Sequence, residues 1–222
     1  MRHTRRTTRF RSRTLAITIA VVTLAALVPV VLSLRNSDHP ANTANAVTAP
    51  GQLNAAQEAG VAGPVTELDR TFLVKVRQAG LWEIPAGRLA QANGSSEAVK
   101  RAGHHLLDGH SRLDQLVRED AEILGVELPD EATEEQQQWV DQLTGLRGEE
   151  FDRFFANVLR SSHGKIFATI GEVRAGTQND LIRRHAREAN QTVLDHMEVL
   201  EDTGLVTAET LAEVETAVTP PK

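Results

Sequence analysis

"VELPDEATEEQQQWVDQLTGLRG", residues 126–148, lies between two long stretches of helical periodicity, and its 23 residues decide how the chain folds. Pro129 and Asp130 open the segment as a helix start, and Trp139 with Leu143 gives it one apolar side. A short helix of about a dozen residues and about 18 Å is therefore predicted within it. With its flanks, such a segment reaches from one end of a helical bundle toward the other. A four-helix bundle with one long crossover is ferritin-like, whereas short loops throughout give an up-down-up-down bundle.

On either side of this connection the apolar residues recur at three- and four-residue intervals, the signature of helices with one buried face. The first helix is expected over residues 66–92, capped by Thr66, with Leu68, Phe72, Val76, Ala79, Ala86 and Ala90 inward. Pro85 lies inside it and predicts a kink or short break near Glu83. After the turn "NGSSE", Ser95 or Ser96 caps a second helix that runs to Leu124 and stops at Gly125; its stripe is Ala98, Ala102, Leu106, Leu113, Leu116 and Ile123. A third is expected over residues 149–174 and a fourth over 179–202, the latter with Leu181, Ile182, Ala189, Val193, Val199 and Leu200 inward. The fold class is thus all-α: a ferritin-like four-helix bundle with a long crossover, occupying residues 66–204 and followed by a C-terminal tail, 205–222, with a short helix.

Composition agrees. Aromatic content is 4%, Tyr is absent and helix formers abound. The absence of Cys excludes disulfides, thiolate metal sites and a Cys nucleophile.

Charge is unevenly placed. Residues 1–34 carry six Arg and no acid, which leaves 18 basic against 30 acidic residues in the rest. An acidic remainder is a poor surface for nucleic acid, so no nucleic-acid partner is expected. "LAITIAVVTLAALVPVVLSL", residues 15–34, has no charge over twenty positions and follows the Arg-rich tail of residues 1–14. Twenty helical residues span about 30 Å, the hydrocarbon thickness of a bilayer, so a single transmembrane helix or signal anchor is predicted, preceding the bundle and with the membrane as its partner. The Arg bias keeps the tail cytoplasmic and places the bundle on the extracytoplasmic side of the cell membrane. Arg5-Arg6 stands in an incomplete twin-arginine pattern and reads as a plain basic region. The alternative is a cleaved signal peptide and secretion, but Arg35 and Asn36 follow the segment directly and the nearest small-x-small triplet, Ala44-Asn45-Ala46, is distant. Residues 35–65, rich in Asn, Ala, Thr, Pro and Gly, read as a flexible linker in which "LNAAQEAG" forms a turn or two of helix at most.

Four side chains interrupt the buried stripes. Glu83 follows Ala79 by four, His110 follows Leu106 by four, His163 follows Leu159 by four, and His196 precedes Leu200 by four. Each helix contributes one. Counted along the helix axis, they spread over about 10 Å in height with a crossover and about 14 Å without one. The crossover therefore gathers one carboxylate and three imidazoles in the middle of the bundle. Buried unpaired, such groups are costly; together they are ligands for one divalent ion such as Zn²⁺, Fe²⁺, Mn²⁺ or Cu²⁺. A metal-free polar cluster is the alternative. His105 lies at the edge of its stripe, and His185 projects to a different height from His196.

"FLVKVRQAGLWEIPAGRLAQANGSSEAVKRAGHHLLDGHSRLDQLV", "GEEFDRFFANVLRSSHGKI" and "HAREANQTVLDHMEVL" resemble the DUF4142 family of bacterial exported proteins. The resemblance implies a ferritin-like helical bundle with no assigned biochemical function. The family's recurring features correspond to Gly80, Glu83, Gly87, Leu89, Ala90, His110, Phe151, Asp152, His163, Ala186 and His196, so its polar positions coincide with the four found from helical phase. Asp152 is the addition, either a carboxylate at a helix N-terminus or a partner of a neighbouring histidine. A Leu-Pro segment common before the last histidine is replaced here by "ANQTVLDH", which predicts a smoother helix.

A di-iron oxidase is disfavoured. Such sites use Glu-x-x-His on two helices, and the residues three before His110, His163 and His196 are Leu107, Arg160 and Val193. No catalytic triad or phosphate-binding loop is present, and no catalytic residue is assigned. The first expectation is a membrane-tethered, non-catalytic extracytoplasmic bundle acting by interaction or stress protection. The alternatives are a metal-binding or metal-buffering domain and a metal-dependent enzyme of unknown substrate; protein partners are not specified by any motif.

Overall fold

The computed structural model describes residues 55–220, which form seven α-helices and, among the described residues, no strand. They are α1 (Ala55–Ala62), α2 (Glu67–Asn93), α3 (Glu97–Leu124), α4 (Glu134–Gly145), α5 (Gly148–Gly176), α6 (Asp180–Glu201) and α7 (Ala208–Val218). The Arg-rich tail and the apolar span of residues 15–34 lie outside the described residues. Within them no helix is long and apolar enough to cross a membrane.

Helix ends follow local chemistry. Thr66 and Asp69 form a capping box on α2, in which Asp69 Oδ2 accepts from the Thr66 amide at 2.8 Å. Ser96 Oγ caps α3 at the Val99 amide, and Gly125, at φ 63°, closes it in the left-handed region that glycine enters without steric cost. Asn179 Oδ1 accepts from the Leu181 and Ile182 amides at the start of α6. Two expectations are corrected here. Of the kink or break expected near Glu83, the break does not occur: α2 runs through Pro85 as one helix, with no amide there to bond the Leu81 carbonyl. The crossover helix starts not at Pro129–Asp130 but at Thr133, which forms a second capping box with Gln136. Helix α1 also occupies part of the stretch whose composition suggested a linker.

Side-chain bonds fix the topology. Asp152, in the first turns of α5, accepts from the Ser95 and Ser96 amides at the start of α3, so α3 and α5 begin at the same end. Asn179, capping α6, donates from Nδ2 to the Gly63 carbonyl just before α2, so α2 and α6 begin at the other. Each of α2 and α6 packs against both α3 and α5, so these four pairings are antiparallel. The connection travels the length between. Arg77 donates to the Pro129 carbonyl near its start, Trp82 packs on Trp139 at 5.0 Å, and Asn93 donates to the Leu143 carbonyl near its end. Helix α7 lies against α5, where Lys165 pairs with Glu213.

The apolar interior has two parts. One is built from Phe72, Val76, Leu113, Val117, Ile170 and Ile182, among others, and the second from Trp82, Ala90, Leu106, Phe151, Phe155 and Leu159 with their neighbours. Each large side chain in them contributes about 1.5–3 kcal/mol by leaving water. Leu116 and Ile123, expected inward, are only half-buried, while Val117 and Ala121 fill the core. Between the two parts, on all four long helices, lies a polar layer.

Candidate metal centre

Glu83 on α2, His110 on α3, His163 on α5 and His196 on α6 form that layer, each one helical turn from the nearest core residue of its own stripe. All four are buried, at 3% exposure or less. One ligand atom from each lies within 4.8 Å of every other. The four residues singled out by helical phase thus converge on one point.

The hydrogen bonds around the rings fix which nitrogen faces inward. His163 Nδ1–H donates to the Leu159 carbonyl of its own helix at 2.8 Å, leaving Nε2 for the centre. His196 Nε2–H donates to the His105 carbonyl at 3.0 Å, leaving Nδ1. A carbonyl only accepts, so in the neutral rings both inward nitrogens carry lone pairs. They face each other at 2.9 Å. Glu83 Oε2 lies 2.5 Å from His110 Nε2 and 3.2 Å from His163 Nε2. Yet neither Glu83 Oε2 nor His110 Nε2 is aligned for a hydrogen bond, and His110 Nδ1 also lacks a partner. The four ligand atoms are close enough to share one partner, and of the pairs only His163–His196 has hydrogen-bond geometry.

Electrostatics act in the same direction. Burial pushes the His163 and His196 imidazoles below the ordinary histidine range, and for each a neighbouring imidazole adds to the effect; Glu83 opposes it at His163. At Glu83 burial works upward, but His110 and His163 outweigh it, so the carboxyl stays below the ordinary range and is held as the anion. Burial thus favours the neutral form at His163 and His196, beside a Glu83 carboxyl held below its ordinary range.

Residues around the centre make room for it. At Gly109 a Cβ would come within 2.5 Å of His196 Nε2 and 2.7 Å of Thr192, so only glycine lets the ring reach the His105 carbonyl. The position is next to His110 in sequence, but helical phase gives no sign of it. A groove of about 560 Å³ between α3 and α6 reaches His196 from one side, and one of about 240 Å³ below α4 reaches Glu83 from the other.

The remaining polar candidates serve elsewhere. Asp152 stands apart from the centre; its carboxylate accepts from the Ser95 amide, the Ser95 hydroxyl and the Ser96 amide at 2.7–3.0 Å, and so ties α5 to the turn before α3. His105 is half-exposed and pairs with Asp195 at 2.7 Å. A second buried pair escaped sequence reasoning: Asp120, on no predicted stripe, accepts from His185 Nδ1 at 3.0 Å and from Arg184 at 2.8 Å, pinning the start of α6 to the end of α3. Asp114, also buried, pairs with Arg77 and Arg118.

The family described as Domain of unknown function (DUF4142) matches residues 54–203, more than half of the chain. No curated protein and no solved structure matches it.

Proposed function

The chain belongs to the DUF4142 family, and on that premise we propose that its helical domain is a ferritin-like bundle that binds one divalent transition-metal ion through Glu83, His110, His163 and His196. The observation that carries this reading is the approach of His163 Nε2 to His196 Nδ1 at 2.9 Å while the other nitrogen of each ring is committed to a carbonyl. Two buried lone pairs repel at that distance unless a cation stands beside them. A proton would serve only by charging an imidazole whose burial opposes it. A metal ion meets the need without that cost, and three imidazoles with one carboxylate suit Zn²⁺, Fe²⁺, Mn²⁺ or Cu²⁺. A single carboxylate in the set argues for a mononuclear centre rather than a di-iron one.

The same proposal places the domain outside the cytoplasmic membrane, held by residues 15–34. There it acts as a metal-holding module of the envelope, and no catalytic step is needed for that role. The test is elemental analysis of the untagged, purified domain, followed by titration with each ion. The expected result is about one metal per chain and a melting temperature that rises with ion and falls with chelator. His163→Ala should lose the metal and the shift together. If neither the native domain nor the metal-supplemented one retains an ion, and no ion moves the melting temperature, the layer is a metal-free hydrogen-bonded core and the proposal falls.

A further inference from the structure

Beside the four donors lies a cavity of about 20 Å³. Glu83, His110 and His163 form one side of it, and His196 does not border it. The other walls are hydrocarbon, among them Val76, Ile170 and Val193. We propose that the metal held in this centre keeps one coordination position open toward the cavity, and that this position takes a neutral diatomic molecule such as nitric oxide. The inference rests on the metal reading above and adds to it a ligand class.

Size is the first argument. A space of about 10–15 Å³ is the least that admits one water-sized occupant, so this one holds a molecule of two heavy atoms at most. The chemistry of the walls is the second. A water molecule needs two to four polar partners to be held well, and here everything beyond the donors is hydrocarbon. An anion would be stripped of its hydration against the same walls. A neutral diatomic forgoes neither hydrogen bonds nor hydration, and gains the bond to the metal. The third argument is position. The cavity abuts the face made by three of the donors, so a ligand in it meets the ion directly.

Access comes from the groove below α4. Ala79, Glu83 and Ile166 border both that groove and the inner cavity, so a thin wall of two apolar side chains and one metal donor separates them. Ala79 and Ile166 are only half-buried, so small breathing motions of α2 and α5 suffice to part this wall. Lys75 and Lys165 also line the groove, while no charged side chain other than Glu83 and the histidines lines the inner cavity.

The experiment loads the domain anaerobically with Fe²⁺, measures bound iron, and then titrates nitric oxide while recording the electron paramagnetic resonance of the iron–nitrosyl, a half-integer-spin species absent before the gas is added. Two substitutions fill the cavity from different helices: Val76→Ile on α2 and Ala189→Val on α6. The expected result is a nitrosyl signal from the native domain and affinity roughly tenfold or more weaker in each folded filler, with iron content unchanged. Equal affinity in native and filled domains would show that the gas approaches from another side and would overturn the assignment. A native domain that holds iron but gives no nitrosyl signal would remove the open position and leave the metal reading intact. A domain that holds no iron, nor any other of the four ions, would remove both. Melting curves identify a filler that fails to fold, and the native titration decides the open position without either one.

Discussion

The facing nitrogens of His163 and His196 have a consequence that pH can expose. Burial holds both imidazoles below their ordinary value of 6.5. In the unfolded chain they take up protons as pH falls through that value, while in the metal-free fold they do not. Stability therefore rises with pH wherever the unfolded state binds more protons: this contribution is present above about pH 6.5 and is lost as pH falls below it. Glu83, lowered from 4.5, contributes in the same sense and is lost at still lower pH. The chelated domain should melt progressively lower in a thermal scan series from pH 8 to pH 5; a melting temperature that held steady or rose over that range would contradict neutral burial. These four residues were legible because a polar side chain on an apolar stripe is visible in the sequence alone. Gly109 was not, because what it avoids is a ring from a helix more than eighty positions away, and neither were Asp120 and His185, whose burial depends on each other.

Among the helices, the connection through α4 shows what element lengths can reveal. Its 23 residues were sufficient to predict a crossing, and the bonds of Arg77, Asn93 and Trp82 along it trace one. The start of its helix was misplaced by a few residues, since Thr133 with Gln136 satisfies two amides that Asp130 would have left open. Helix α5 has no side-chain cap of its own at Arg147, yet its Asp152 supplies three acceptor bonds to the neighbouring turn. Asp152→Ala removes a buried acceptor that takes three hydrogen bonds from exposed Ser95 and half-buried Ser96. A loss of about 1–3 kcal/mol is expected by urea unfolding, with metal content untouched because the residue stands outside the donor set. Equal loss of metal would mean that this corner sets the register of the centre.

For the helical domain as a whole, the two apolar clusters on either side of a polar layer matter more than either alone. Without an ion, the layer between them is held by repelling or misaligned groups, so the halves are expected to open more independently. Amide hydrogen exchange should show this. Ion binding should slow exchange most on the turns of α2, α3, α5 and α6 that carry the donors, and make the two clusters open together; uniform slowing along every helix would argue against a layer that links them. The all-helical class was readable from composition and periodicity. The division of the core was not, since it appears only when stripes from four helices are stacked. Each donor also comes from a different helix, at positions 83, 110, 163 and 196. No two of them share a helix, so an unfolded or emerging chain carries no chelate from this set, and nothing in it can seize an ion early. On the proposed metal reading, capture of the ion follows folding. On that reading the identity of the ion would be settled by where folding finishes and which ions are free at that place and moment, a choice of address and timing rather than of affinity.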